Sequence, residues 1–275
     1  MMNKLSPLQK KLLEMLHWFH QFCETNGIRY FVLGGTMLGA ARHHGFIPWD
    51  DDIDVGLPRR DYEKLAHLMV NSDSSPYTLE TPRSEEKDYC YSYSKIYDTR
   101  TTLIEKKRTN VTRGVFMDVF PLDGLGESYE ECKANYAPIN KKYNLLLASV
   151  GGVRKGRSLY KNLMVIAARC IPQCILNGKK LMIQLDELCA KIDYDTSTWI
   201  CNDMGAWRLK EAMPRAIMGT PTVYQFENIS VYGAEHYDEY LTHLYGDWRK
   251  LPPVEKRITH HDFISLDLHK PYRSK

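Results

Sequence analysis

Four carboxylates fall within five residues at Asp50-Asp51-Asp52-Ile53-Asp54, preceded by Trp49 and followed by Val55. In an extended chain alternate side chains share a face, so Asp52 and Asp54 point one way while Ile53 and Val55 point the other. Two carboxylates side by side on a strand repel each other unless a cation neutralises them. Carboxylate oxygens are hard ligands suited to Mg2+ or Mn2+. The apolar residues interleaved with the acids argue against a solvated turn. An EF-hand is excluded, because its loop needs Gly at the sixth position and usually Glu at the twelfth, where this sequence has Val55 and Asp61.

A metal site for phosphoryl transfer often recruits a third acid. Asp118 in Val115-Phe116-Met117-Asp118-Val119-Phe120 is flanked by apolar residues, where an isolated carboxylate would be costly to bury without a partner. Asp123, after Pro121-Leu122, reads as a turn residue. Gly34-Gly35-Thr36 sits where a strand-like run meets a helix. Glycines there let a phosphate approach the backbone, and a helix N-terminus offers free N–H donors. The segment is neither a Walker loop nor a dinucleotide fingerprint. Its weight comes from Asp52-x-Asp54 following sixteen residues after Thr36.

These groups need elements to hold them. Pro7 to Asn26 carries Leu12, Leu13, Leu16, Phe19 and Cys23 near helical spacing, with Gly27 as a stop. Arg29 to Leu33 reads as a short buried strand, and Thr36 as the cap of a helix ending near Gly45. Asp52 to Gly56 reads as a second strand, and Pro58 opens a helix to about Met69. Strand-like pieces follow at Tyr89 to Tyr97, Thr101 to Glu105 and Val115 to Phe120. Beyond Glu127 the character turns helical, with Glu130 to Leu147 and one long run from Ser158 to Ile192. From Thr196 the sequence is mixed and aromatic. The expected fold class is α+β, organised as a catalytic core (1–127), a helical insertion (128–195) and a C-terminal part that completes the site (196–275).

Composition narrows the class further. The 275 residues are 43% hydrophobic and 26% charged, with a formal charge of +3, too balanced for non-specific nucleic-acid binding. Eighteen tyrosines, eight phenylalanines and five tryptophans exclude a disordered chain. The seven cysteines (Cys23, Cys90, Cys132, Cys170, Cys174, Cys189, Cys201) are odd in number, irregularly spaced and contain no Cys-x-x-Cys pair. That argues against a disulfide scaffold or zinc knuckle and for reduced thiols in the cytoplasm. No apolar leader follows Met1, and no window offers a membrane span.

Strand, Gly-Gly, helix, Asp-x-Asp and a later third Asp resemble the nucleotidyltransferase fold of the DNA polymerase β type. More closely, Leu33 to His43 and Gly45 to Asp54 resemble the LicD family of bacterial phosphorylcholine transferases, which is related to fukutin and fukutin-related protein. Phe116 to Gly124 is similar to that family's second block. Tyr237-Asp238-Glu239-Tyr240-Leu241, Leu244-Tyr245-Gly246-Asp247-Trp248 and Leu251-Pro252-Pro253 are similar to its C-terminal block. The matches run from about Tyr30 to Arg257, while Glu130 to Ile192 holds no motif that can be placed.

The resemblance implies Asp52 and Asp54 as metal ligands, Asp118 as third acid, and Mg2+ or Mn2+ as cofactor. Gly34, Gly35 and Thr36 would line the donor diphosphate, and Arg42 and Lys95 would contact phosphate. The implied reaction is transfer of phosphorylcholine from CDP-choline to a sugar hydroxyl of a glycan or lipid-linked teichoic-acid precursor, releasing CMP. Ribitol, glycerol or ethanolamine phosphate donors stay open, as does a silent assembly subunit. A quaternary ammonium is usually held by aromatic faces. Trp207, Tyr224, Phe226, Tyr232 and Trp248 lie in the aromatic C-terminal third, but most are expected in the core and the sequence names no cage. The stretch 159–185 is expected to form a packed helix pair, with a peripheral contact at the inner membrane face as the alternative.

Overall fold

The computed structural model describes residues 5–70, 75–85, 89, 91–105, 110–150, 158–169, 171, 176–259 and 263–272. Helix α1 (Pro7–Asn26) begins with a complete capping box. The Ser6 hydroxyl accepts the Gln9 N–H, the Gln9 side chain accepts the Ser6 N–H, and Pro7 occupies the first turn. Gly27 ends it at φ 56°, a left-handed position that costs glycine little. Strand β1 (Phe31–Val32) leads into α2 (Gly34–His43), then β2 (Asp54–Pro58) and α3 (Arg59–Val70). Next come β3 (Tyr77–Glu80), β4 (Ser94–Asp98), β5 (Thr102–Glu105), β6 (Val111–Arg113) and the long β7 (Phe116–Gly126).

The C-terminal half adds α4 (Tyr129–Val150), α5 (Leu159–Arg169), α6 (Gly178–Cys189), β8 (Trp199–Cys201), β9 (Met213–Pro214) and α7 (Arg215–Met218). A hairpin of β10 (Thr222–Phe226) and β11 (Ile229–Gly233), then α8 (Tyr237–Tyr245) and β12 (Phe263–Asp267), complete the order. The α+β expectation holds. The central sheet runs β1-β2-β7-β4-β3, with β8 and β9 continuing from the far end of β7. Only β2 and β7 pair in parallel within it; the other neighbours are antiparallel. All eleven residues of β7 are buried, so this strand is the axis of the fold.

Three local expectations are corrected. The acidic strand begins at Asp54, leaving Asp52 in the preceding loop. The run from Ser158 to Ile192 is two helices, α5 and α6, with residues 170 and 172–175 outside the described set. Asp123 is a fully buried β7 residue, and no turn residue. Its two oxygens accept Arg59 Nε at 2.7 Å and Arg59 Nη2 at 2.6 Å. Arg59 Nη1 also reaches Asp186 Oδ1 on α6 at 2.7 Å, and Arg83 meets the second oxygen of Asp186. Thus Arg59, at the start of α3, ties the sheet to the helical segment by hydrogen-bonded charge pairs. Near Asp123, the Cys189 and Asp203 side chains are also buried.

Removing one member of a buried pair strands the other, which costs about 3–5 kcal/mol. The Arg59→Met substitution should therefore lower the urea midpoint by an amount equivalent to about that range. Arg60→Met, which breaks an exposed pair with Asp193 at 2.8 Å, should cost less than about 1 kcal/mol. Equal effects of the two substitutions would refute the structural role given to Arg59.

Candidate active site

The register of the sheet assembles the site. Asp54 on β2 is the direct parallel neighbour of Asp118 on β7, and Lys95 on β4 is the antiparallel neighbour of the same Asp118. Adjacent strands in register present such residues on one face, so carboxylate, carboxylate and ammonium form a row. Lys95 Nζ lies 2.8 Å from Asp118 Oδ1, and the Tyr93 hydroxyl donates to Asp118 Oδ2 at 3.2 Å. Burial pushes the Asp54 carboxyl well above the usual carboxylate range, and the charges of Asp52 and Asp118 add to that. Burial also raises Asp118, but there the Lys95 ammonium opposes the shift.

Asp54 and Asp118 form part of the wall of a cleft of about 880 Å3. Its walls also carry Gly34 and Gly35 from α2, Asp50 and Asp52 from the acidic loop, Tyr143 from α4, and Tyr245, Asp247 and Trp248 from the C-terminal motif. Six acids line it (Asp50, Asp52, Asp54, Asp118, Glu211, Asp247), against three bases (Arg42, Lys250, Lys256). Such an acidic surface repels a phosphorylated ligand unless a cation intervenes, and its oxygen donors suit a hard divalent ion. Asp52, Asp54 and Asp118 therefore fit the metal-ligand set read from the sequence.

The Gly-Gly segment is built to let acids in close. Gly34 opens α2 at φ 49°, a left-handed value, and a Cβ there would come 3.5 Å from Asp54 Oδ2. A Cβ on Gly35 would sit 2.7 Å from Asp50 Oδ2. The Gly34 N–H is engaged by the Tyr240 hydroxyl at 3.0 Å. The loop itself is anchored from outside, where Gln9 Nε2 donates to the Asp50 carbonyl at 2.9 Å.

Three other sequence-derived residues are placed differently from a simple phosphate-binding row. Thr36 is buried within the first turn of α2. Its hydroxyl accepts the Asp54 N–H at 2.9 Å, so it positions the acid and does not line the cleft. Lys95 is also buried; besides Asp118 it faces the Phe116 ring at 3.3 Å and the Tyr91 ring at 4.2 Å. Arg42 does line the cleft, with Nη1 donating to the Trp248 carbonyl at 2.7 Å. Among the aromatic candidates, Trp207 and Trp248 line the cleft. Phe226 instead packs on Phe46, Tyr232 on Tyr30, and Tyr224 on Tyr237.

Sequence reasoning missed Glu211. It sits in a short 3-10 turn (Arg208–Glu211) whose charges read as solvated surface. In the structure its carboxylate accepts the Trp207 N–H at 2.9 Å and a hydrogen bond from Asn202, and thereby closes the loop carrying Trp207 over the cleft. Trp207 in turn stands edge-on to Tyr245, with ring centroids 4.6 Å apart. No local pattern could show this, because the loop is closed by tertiary contacts.

Burial pushes the Glu211 carboxyl from 4.5 up to about 7. The folded state therefore keeps a proton that the unfolded chain releases from about pH 4.5 upward. The stability this confers is complete below about pH 4.5 and is lost as pH rises through about 7. Relative to Glu211→Gln, the wild-type chain should lose on the order of 1–2 kcal/mol of unfolding free energy across that window. Denaturation curves at matched pH values check this, and parallel pH profiles for the two proteins would refute it.

Comparison with known proteins agrees with this geometry. Residues 27–135 match the family model described as LicD/FKTN/FKRP, nucleotidyltransferase domain. That range contains α2, the acidic loop, β2, β4 and the Asp118 region of β7. The chain is 31% identical to the lipopolysaccharide cholinephosphotransferase LicD of Haemophilus influenzae over 271 residues, covering 94% of this chain and 97% of that one. It is 53% identical over 45 residues to the ribitol 5-phosphate transferase FKRP of Homo sapiens, covering 16% of this chain and 9% of that one. A full-length relative of this similarity, together with the acid-lined cleft, establishes that the chain belongs to the LicD family.

Proposed function

We propose that this chain is a metal-dependent phosphotransferase with a nucleotidyltransferase-type core, moving phosphorylcholine from CDP-choline to a sugar hydroxyl of a cell-wall polymer precursor. The observation that carries the reading is the side-by-side placement of Asp54 and Asp118 in a cleft lined by the glycines of α2. Full-length similarity to a cholinephosphotransferase supports the choice of group transferred. Buried free thiols at Cys23, Cys132, Cys189 and Cys201 support a reducing, cytoplasmic setting.

Asp52, Asp54 and Asp118 would hold Mg2+ or Mn2+, which when bound supplies neutralisation of the diphosphate and of the leaving phosphate. Gly34 and Gly35 would line the donor diphosphate beside these acids, and Arg42, Lys250 and Lys256 add positive charge. In the reaction the acceptor oxygen forms a bond to the choline-bearing phosphorus, the diphosphate P–O bond breaks, and CMP leaves. Asp118 is the group placed to take the acceptor proton. The Lys95 ammonium opposes the rise that burial imposes on that carboxyl, which favours its acting as a base. Positioning and electrostatics supply most of such catalysis.

The local 53% identity to a ribitol 5-phosphate transferase favours a second reading, in which the donor carries another phosphoalcohol. A shared short motif cannot separate the donors, so discrimination falls to groups elsewhere in the cleft. A quaternary ammonium is recognised by aromatic faces. Among the aromatic residues lining the cleft, Trp207, braced by Tyr245 and 37% exposed, is the one proposed to offer such a face.

The decisive measurement is CMP release from CDP-choline, CDP-ribitol, CDP-glycerol and CDP-ethanolamine with Mg2+ and a purified wall-polymer precursor. CDP-choline should be preferred, and Asp52→Asn, Asp54→Asn or Asp118→Asn should each lower turnover by about 100-fold or more. Mg2+ should also raise the melting temperature of the wild-type chain and not of Asp54→Asn. Near-normal turnover in any of the three variants would sink the assignment. Trp207→Ala should raise KM for CDP-choline about tenfold while changing KM for CDP-ribitol little. Equal changes for both donors would remove choline recognition from Trp207.

A further inference from the structure

Helix α5 is turned inside out. Leu159, Tyr160, Leu163 and Ile166 are 83%, 69%, 62% and 48% exposed, while Val165 is 2% exposed. On a helical wheel, Leu159, Leu163 and Ile166 share one stripe with Tyr160 and Ala167 beside it, and Val165 projects the opposite way. Among the described side chains of α5, one apolar residue, Val165, turns to the protein and five face outward. Of the helix pair expected over 159–185, α6 buries Leu181, Met182 and Leu185 as expected, whereas α5 turns most of its described apolar residues outward. A contiguous apolar face of this kind marks a surface that something covers.

Charge identifies the cover. From Cys132 to Leu185 the sequence holds ten Lys or Arg residues and no Asp or Glu. The rest of the chain carries 27 basic and 34 acidic side chains, so a net positive stretch sits within a net negative remainder. Among the described basic residues of this stretch, Lys133 and Lys141 are exposed, as is Lys180 near the start of α6. A partner protein selected by hydrophobic fit alone needs no such purge of acids. An anionic bilayer surface selects for both features, since apolar side chains enter the interface and each nearby cation adds attraction to acidic headgroups.

We infer that the outward face of α5 seats this protein peripherally on an anionic lipid bilayer, with the exposed Lys141 and Lys180 of the neighbouring helices α4 and α6 supplying charge. The insertion is shallow. No helix among the described residues is long and apolar enough to cross a membrane. The inference holds whichever donor the cleft accepts, since it uses no residue lining the cleft.

The test is co-flotation of the full chain with vesicles of phosphatidylcholine, with and without phosphatidylglycerol. The wild-type chain should float with the anionic vesicles at low salt and detach as salt rises. Leu163→Glu/Ile166→Glu should bind at least about tenfold less. Val223→Glu, altering a residue exposed on the β10–β11 hairpin, should float as the wild type does. Amide exchange in the unmutated chain should slow across 159–169 when anionic vesicles are added, a readout independent of how the variants fold. Failure to float, flotation undiminished in the double variant, or no slowing of exchange at α5 would each overturn the inference. So would sedimentation showing a dimer that the double variant dissolves, because a second copy would then be the cover.

Discussion

The parallel pairing of β2 with β7 is the constraint on which the rest depends. It sets Asp54 against Asp118 in adjacent strands, an arrangement that repels itself and that burial makes worse. A fold built only for stability would avoid it. The surrounding structure is arranged to tolerate the pair: Lys95 supplies a cation from the other side of β7, and Thr36 binds the Asp54 backbone. A shift of one residue in the β2–β7 register would send Asp54 to the opposite face of the sheet from Asp118. The buried length of β7 protects that register, because slipping would expose its apolar neighbours.

Stability elsewhere compensates for the strained cluster. At the other end of the same two strands, Arg59 follows β2 and pairs with Asp123 near the end of β7. The two strands therefore carry opposite electrostatics at their two ends: unresolved repulsion at the cleft, and a fully hydrogen-bonded ion pair away from it. The pair at Asp123 already has its cation, so it offers little to a metal. At Asp54 and Asp118 the one ammonium is paired with Asp118, and the two acids retain capacity for more positive charge. This difference, more than acidity alone, separates the structural carboxylate from those proposed for catalysis in this chain.

Much of that was legible from residue types. The alternation Asp52-x-Asp54, the Asp in an apolar strand at position 118, and Gly-Gly at a strand-to-helix junction each carry a local cost that needs an explanation. Their common explanation was correct in placing them on one cleft. What stayed hidden was whatever depends on pairing across the chain. Lys95 reads as a phosphate contact until β4 is laid beside β7 and turns it to Asp118. Asp123 reads as a turn residue until Arg59, 64 positions earlier, is brought to it. Glu211 has no signal of its own, because a loop closed by hydrogen bonds to its neighbours has no periodicity.

The α5 face failed sequence reading for a different reason. Its hydrophobic spacing is that of a core helix, and periodicity reports only that a face is apolar, never which side of the molecule it turns toward. The distribution of charge held the missing information. A buried helix pair gains nothing from the absence of acids over 54 residues, whereas a surface that must approach anions does. The two halves of the protein therefore answer opposite electrostatic demands. In the proposed function the acids of the cleft hold a cation against a phosphorylated donor, and in the membrane inference the lack of acids in the helical segment lets an anionic surface come near. Keeping these demands in separate segments of one chain lets the acidic loop stay intact beside a basic insertion, with Arg59 and Asp186 as the joint between them.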